Sequence, residues 1–344
     1  MSLFYTRFVL PVIIIEMNLT LHVSHTAPGQ LRPLNILRDL TGVADLIEVC
    51  FKENLDASGR SHLDEMRRQA RDNVFLNWAP HMIDVISLPL SGFVWEDNGK
   101  VVGNVSLIPF HQYGRRLYLI ANVATHPDYR RRGIGRALTE VAMRRAREKG
   151  ADSLWLHVRD DNPGAIKIYR DLGFRERARR TEWYAPSTGL PRKSESARFR
   201  IRPRAARDWN FQRNWLERAY PPEMSWYQQQ SWSSFGPYLW DGFYRLLSDI
   251  DVSQWSVEAD GQLRGSVSCR YQSGKTANLW LASPPRPDYE ALVGLLLYTR
   301  RMYAQQQGVH IEYPAGPADE ALRAAGFSPS RTLLWMESPG QQPN

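Results

Sequence analysis

From Leu31 onward, stretches whose apolar residues recur at helical spacing alternate with short runs that read as strands. Arg32-Pro33-Leu34 is extended. After it, Leu40, Val43, Ala44, Ile47 and Phe51 fall on one face of an amphipathic helix. A second helical stretch, His62–Asn77, is polar and charged. Gly92–Trp95 and Val101–Ile108 read as strands around Glu96-Asp97-Asn98-Gly99-Lys100, and Asn-Gly between two apolar runs predicts a hairpin. Leu117–Thr125 is a third apolar strand. A glycine-containing turn, Arg130–Gly135, leads into a helix over Ile134–Lys149, with Gly150 as its stop. Ser153–Arg159 reads as a strand, Pro163–Leu172 as a helix ending at Gly173, and Arg180–Ala185 as a last strand.

Pro186–Ala197, rich in Pro, Ser, Thr, Gly and charge, reads as a linker. The pattern then starts again. Arg202-Pro203 and Arg207-Asp208 echo Arg32-Pro33 and Arg38-Asp39. A second hairpin spans Glu258–Gln262, with Gly265, Val267 and Ser268 spaced as Gly103, Val105 and Ser106 are. Pro287-Asp288-Tyr289 answers Pro127-Asp128-Tyr129, Gly326-Phe327 answers Gly173-Phe174, and Arg331–Trp335 answers Arg180–Trp183. The common order argues for two copies of one α/β unit rather than a solenoid, which would need more repeats of shorter period. The expected domains are 31–185 and 198–338, joined by 186–197, with an N-terminal extension at 1–30 and a tail at 339–344.

The chain has 344 residues, 43% of them apolar and 23% charged, which suits two globular domains and excludes collagen, coiled coil and wholesale disorder. Phe8–Ile15 is an apolar run of the length a signal peptide needs, but no small-residue cleavage site follows closely. A start at Met17, or a loosely attached tail, is the better expectation. No run approaches the ~18 apolar residues of a membrane span. Two cysteines, Cys50 and Cys269, make neither a disulfide framework nor a cysteine-rich zinc site, so a cytoplasmic protein is expected. The net charge is +8, and 38 of the 44 basic residues are arginine. Arginine's planar fork suits carboxylates and phosphates. A basic surface also attracts nucleic acid, and bulk charge does not decide between the two.

One segment carries chemistry: Val123-Ala124-Thr125-His126-Pro127-Asp128-Tyr129-Arg130-Arg131-Arg132-Gly133-Ile134-Gly135-Arg136. A strand runs into a basic, glycine-containing turn that opens a helix. The free N–H groups and positive dipole end of the helix, with four arginines, favour a pyrophosphate. A Walker loop would end in Gly-Lys-Ser/Thr, which this turn lacks. Gly274-Lys275-Thr276 has Cys269 where the earlier glycine belongs. A Rossmann fingerprint fails at Leu138, where its third glycine would stand. Alone, the turn reads equally as an ordinary strand-to-helix connection with solvated arginines. Further on, however, stand Asn162-Pro163-Gly164-Ala165, then Tyr169 two helical turns along, then Gly173-Phe174.

Together these residues resemble the GCN5-related N-acetyltransferase (GNAT) family, well over Gly92–Ala185 and in layout over Leu31–Asn77. The resemblance implies tandem GNAT folds of mixed α/β sheet and an acetyl-CoA-dependent N-acetyltransferase. It assigns the pyrophosphate of acetyl-CoA to Arg130, Arg131, Arg132, Gly133, Ile134, Gly135 and Arg136, and the pantetheine arm to backbone groups of Val123, Ala124 and Thr125. Asn162 would contact the cofactor, and Tyr169 would protonate the departing thiolate. A phenol with a pKa near ~10 suits a thiol of similar basicity. Some relatives place a glutamate base five residues before the asparagine, and this chain has His157 there. Histidine titrates nearest neutrality and could serve directly or through a water. His310 falls at the corresponding place in the second copy, so a histidine kept simply as a strand residue explains both.

The second copy keeps the landmarks without the chemistry. Glu290-Ala291-Leu292-Val293-Gly294-Leu295 stands where the arginine turn would be, Ala315 where Asn162 would be, and Leu322 where Tyr169 would be. Acetyl-CoA is expected to bind the first copy only. Trp209, Trp215, Trp226, Trp232 and Trp240 are candidates for an acceptor wall, though aromatics at irregular spacing are by default core. The acceptor is expected to be a small-molecule or peptide amine. No metal or membrane partner is expected, and no nucleic acid, because the arginines outside the turn are scattered among acids. The chain is expected to be a monomer or homodimer. A non-catalytic acyl-CoA-binding protein is the alternative, although a mere binder has no need of Tyr169.

Overall fold

A computed structural model describes residues 29–52, 57–72, 91–189, 198–228, 232–237, 251–271 and 276–340. The expected N-terminal run, Trp240 and most of the linker lie outside them. Contacts gather the chain into two compact units, Met1–Leu156 with Ser338–Asn344, and His157–Glu337.

In the first unit, β1 (Gln30–Pro33) leads into α1 (Ile36–Phe51), whose Leu40, Val43, Ala44 and Ile47 are buried against Leu63 and Met66 of α2 (Ala57–Gln69) and Val94. The second helix thus starts earlier than the expected His62, and residues 73–77 lie outside the described set. Docking places it: Arg67 reaches Asp45 at 2.8 Å, and Glu48 besides, both on α1. The hairpin of β2 (Gly92–Asp97) and β3 (Lys100–Gln112) turns at Asn98 and Gly99, with φ of 48° and 76°. Two successive positive φ values make the right-twisted turn that Asn-Gly favours. β4 (Arg115–Thr125), α3 (Ile134–Glu148) and β5 (Ser153–Arg159) follow, and the strands line up as β1-β2-β3-β4-β5. A Cβ on Gly103 would lie 2.9 Å from Ile134 Cγ2 and from Leu138 Cδ1, so the missing side chain is what lets α3 lie on β3. The chain's other end joins this unit, where Gly340 N–H donates to the Asp152 carbonyl at 3.1 Å.

The second unit holds α4 (Pro163–Asp171), β6 (Arg175–Pro186), β7 (Phe199–Pro203), α5 (Trp209–Ala219), a short α6 (Ser225–Gln228), β8 (Asp251–Ala259), β9 (Gln262–Tyr271), β10 (Ala277–Ala282), α7 (Tyr289–Met302), β11 (Gly308–Pro314), α8 (Asp319–Ala324) and β12 (Ser328–Pro339). Its strands run β12-β6-β11-β10-β9-β8-β7. Its core joins Trp183 and Ala185 of β6 to Trp209, Trp215, Val267, Leu292 and Ile311. Trp226 is buried as well, so the default reading of these tryptophans as core holds for Trp209, Trp215 and Trp226.

The repeat is carried by matching ion pairs. Arg32 holds Asp39 at 2.6 and 2.8 Å and Glu96 at 2.6 Å, and Asp39 also accepts from the Asn35 N–H. Arg202 holds Asp208 at 2.6 and 2.9 Å and also Glu258, and Asp208 accepts from the Ala205 N–H. A Cβ on Gly265 would lie 2.9 Å from Leu292 Cδ2, as one on Gly103 would crowd its own helix. Repeats and compact units nevertheless divide the chain differently. The limits 31–185 and 198–338 follow the repeats. β6, from the first repeat, pairs on one edge with β11 and on the other with β12, both from the second. Among the described residues no helix is long and apolar enough to cross a membrane.

Candidate active site

The turn after β4 is built to leave donors unused. β4 carries a bulge against β3: Asn104 pairs with Ala124 and Ser106 with Ala121, so Asn122 and Val123 oppose Val105 alone. Asn122 takes the extra residue's strain at φ 51°. Its carbonyl accepts from Asn104 Nδ2 at 3.0 Å, and its own amide donates to Ser106 Oγ at 3.3 Å. In parallel with β5, β4 is paired only over Leu117–Leu119, so Ile120–Thr125 has β3 on one edge alone. That leaves the backbone of Val123, Ala124 and Thr125 at an open strand end.

Past Thr125, Pro127–Tyr129 forms a 3-10 turn anchored by Tyr129 Oη donating to Asp97 Oδ2 at 2.7 Å. The backbone then reverses through Arg131 at φ 63° and Gly133 at φ 79°, and α3 begins at Ile134. The helix's first internal bond is Ala137 N–H to Gly133 O. The backbone N–H groups from Arg131 through Gly135 make no hydrogen bond among the described residues. Five successive N–H donors thus lie without a partner among the described residues at the positive end of a fifteen-residue helix, where an anion is favoured. A Cβ on Gly135 would meet only Thr125 Oγ1, at 3.6 Å, so the space beside it is open.

The arginines divide their work. Arg130 Nε donates to the Thr125 carbonyl at 3.3 Å, and Arg132 donates to the Asp128 carbonyl at 2.8 Å and lies over the Tyr129 ring. Both shape the turn. Arg136 pairs with Glu140 at 3.0 Å. Arg131 is exposed, with no hydrogen bond or ion pair among the described residues. The Cys50 thiol also donates to the Thr125 carbonyl, at 3.3 Å.

The other expected residues stand in the second unit. Asn162 caps α4, its Oδ1 accepting from Ala165 N–H at 3.1 Å, which leaves its Nδ2 donors for a ligand. Tyr169 follows on the same helix, 7% exposed, with its ring edge-on to Phe174. Its hydroxyl makes no hydrogen bond among the described residues, and burial pushes its pKa up to about 12, above the ~10 expected of a free phenol. His157, on β5, packs against the rings of Trp335 at 4.9 Å and Tyr227 at 6.4 Å. Burial, with the nearby Arg331 charge, pushes it down to about 4.

The bulge residues Asn104, Ser106 and Asn122 escaped sequence reasoning. Asn104 and Ser106 are fully buried, and Asn104 Oδ1 has no partner among the described residues. The available signal was two polar residues at alternate positions of an otherwise apolar strand.

In the second repeat each feature is closed. β9 and β10 pair from Arg270↔Asn278 to Ser266↔Ala282 without a bulge. Asp288 caps α7 itself, its Oδ1 accepting from Ala291 N–H at 3.1 Å, and its other oxygen pairs with Arg198. A carboxylate already fills the place an anion would take. The helix starts at Tyr289, so the aligned residues Glu290–Leu295 lie within it and form no turn. Ala318 caps α8 without a side-chain bond, and Leu322 is wholly buried. Among the described residues no cluster of His, Cys, Asp and Glu could hold a metal.

The sequence pattern of the acetyltransferase (GNAT) family matches residues 47–174, which contain the bulged strand, the open turn, Asn162 and Tyr169. Residues 47–174 form a GNAT-family domain. Among curated proteins it is similar to the [ribosomal protein bS18]-alanine N-acetyltransferase of Escherichia coli K12, 43% identical over 68 residues, or 20% of this chain and 46% of that protein. Streptothricin acetyltransferase of Streptomyces lavendulae is 40% identical over 77 residues, 22% of this chain and 40% of that one. Mycothiol acetyltransferase of Corynebacterium aurimucosum is 25% identical over 167 residues, 42% and 53% respectively. The chain thus spans about half the length of the curated relatives it matches. Among solved structures, a GCN5-related N-acetyltransferase from Sphaerobacter thermophilus superposes with a TM-score of 0.56 at 14% identity, covering 93% of this chain and 98% of that one. At that identity the likeness speaks for the fold.

Proposed function

We propose that the chain is an acetyl-CoA-dependent N-acetyltransferase that acylates a primary amine of a small molecule or peptide through its first repeat. The observation that carries this reading is the row of unused N–H donors from Arg131 to Gly135 behind the open end of β4. Those donors suit a pyrophosphate, with Arg131 the unengaged cation beside them. The exposed edge of Val123–Thr125 suits the amide-bearing pantetheine arm, and Asn162 Nδ2 remains a donor. Bound there, acetyl-CoA would supply the activated acyl group. Tyr169 Oη holds its proton throughout the neutral range, which supports its reading as the acid for the departing sulfur. His157 is neutral at pH 7 and is the candidate to take the amine's proton directly or through a water, as a base that burial has weakened.

The relatives are named for a ribosomal-protein alanine, streptothricin and mycothiol, which supports the amine class without choosing within it. A cytoplasmic setting suits the free thiols of Cys50 and Cys269. The test has two stages. Calorimetry should count one acetyl-CoA per chain, and a panel of amines should then be screened by thiol release. Two equal sites would overturn the assignment to the first repeat. Tight binding with no turnover on any amine would favour the acyl-CoA-binding alternative.

A further inference from the structure

In the second unit the end of β5 is followed in the sheet by β12, a strand of the second repeat, and only then by β6. Two bonds fix β12 there. Asp160 N–H, two residues before Asn162, donates to the Thr332 carbonyl at 3.0 Å, and Thr332 Oγ1 shares a hydrogen bond with Thr181 Oγ1 at 2.9 Å. Three residues along β12, Trp335 is 1% exposed and its ring centroid lies 4.9 Å from that of His157, inclined at 46°. The partly exposed Tyr227 of α6 packs edge-on to Trp335 at 4.6 Å, and Trp226 lies 6.2 Å from the same ring. Two charged or titratable groups lie around the imidazole among the described residues. Arg331 comes from β12 itself, with its Nε on Glu182 at 2.8 Å, and Tyr227 comes from α6. Among the described residues the Trp335 indole N–H has no partner, so the residue contributes ring surface there and no hydrogen bond.

We propose that Trp335 is a positioning residue for the first repeat's transfer site. By packing on His157 it fixes the plane of the imidazole and keeps water from it, so that a strand of the second repeat completes the site of the first. The proposal rests on the acetyltransferase reading for its catalytic meaning. A base must be oriented before its basicity matters. A bare β5 would leave His157 free to rotate into solvent. Packing against Trp335 and, more loosely, Tyr227 restricts how the imidazole can turn.

The test uses the full chain. The His157 imidazole is followed by NMR in wild type, Trp335→Phe, Trp335→Ala and a control, Trp255→Ala, which removes another buried tryptophan on β8. His157→Gln assigns the signal. The wild-type imidazole should titrate at about 4. Trp335→Ala should admit water and move it up by roughly one unit or more, and Trp335→Phe should restore it, since no hydrogen bond is lost. The acid limb of kcat/KM should move with the titration, while the acetyl-CoA dissociation constant stays within about twofold. An unmoved titration in Trp335→Ala, or an equal shift in Trp255→Ala, would overturn the proposal. Failure of wild type to bind acetyl-CoA would instead overturn the transferase reading, and the NMR arm separates the two.

Discussion

At the scale of single residues, the turn offers a cleaner probe than its first glycine. Gly133 sits at φ 79°, so any side chain there strains the backbone before a ligand arrives. A loss of affinity in Gly133→Val would mix the two causes. Gly135 has no positive φ, and a Cβ would have van der Waals room. Gly135→Ala should leave thermal stability unchanged or raise it by up to about 1 kcal/mol, as expected in a helix. Acetyl-CoA binding should fall several-fold, because the methyl enters the phosphate's approach. Equal affinities by calorimetry would remove the pyrophosphate from this turn. Tyr169→Phe asks a different question. Its hydroxyl has no partner among the described residues, so its removal costs the fold little. With an acceptor in hand, kcat should drop by roughly 10²–10⁴-fold with acetyl-CoA affinity nearly intact. Unchanged turnover would make Tyr169 a packing residue.

At the scale of elements, the ion pairs that begin each repeat set a pH dependence whose direction is fixed. Burial alone would raise the Asp39 carboxyl. The Arg32 hydrogen bonds and the Asn35 N–H outweigh it and leave Asp39 below its ordinary value. Asp208 is held down in the same way by Arg202, Ala205 and Ser256 against its own burial. A carboxylate with a depressed folded pKa gives stability that is fully present above its unfolded pKa, about 4, and is lost as pH falls through the folded value. Asp39→Asn and Asp208→Asn should each cost about 3 kcal/mol at pH 7, as removing one partner of a buried pair does. That gap should narrow below pH ~4, which urea midpoints across pH would read. A gap independent of pH would assign the loss to packing.

These pairs also show how much the sequence disclosed. Arg32, Arg38-Asp39 and their echoes were visible as an ordered repeat, as were the hairpins, whose Asn98-Gly99 and Asp260-Gly261 turns follow from local chemistry. The turn and helix of Arg130–Gly135 were legible for the same reason: capping and glycine conformation are short-range. The bulge at Asn122 was hidden, because its extra residue is defined only against β3. So was the self-capping of α7, which depends on where that helix starts. The exchange of final strands could not be read at all. Arg180–Ala185 has the pattern of a last strand wherever it pairs, and only the register against Val309–Pro314 and Ser328–Leu333 shows its partners.

At the scale of the whole molecule, that exchange sets what a truncated chain can do. A fragment ending at Ala185 contains β6 but neither of its neighbours, because β11 and β12 both come from beyond it. Both edges of β6 would be left unpaired, a ready template for association. Trp183, fully buried in the intact chain, would lose the core it shares with Ile311, Leu322 and Phe327. His157 would lose Trp335, and the Asp160 N–H its carbonyl on Thr332. The fragment should therefore be insoluble, or soluble with exposed apolar surface and no cooperative unfolding transition. Co-expressed with a second fragment beginning at Arg198, it should recover solubility and acetyl-CoA binding, since every strand partner is again present. Glu290→Gln in the intact chain should change neither, because among the described residues that side chain pairs only with the exposed Arg198, at 3.2 Å. Calorimetric unfolding with acetyl-CoA titration checks all three. A fragment ending at Ala185 that unfolds sharply and acetylates the same amine at the full rate would mean that β6 finds other partners, and that the second repeat serves a ligand of its own.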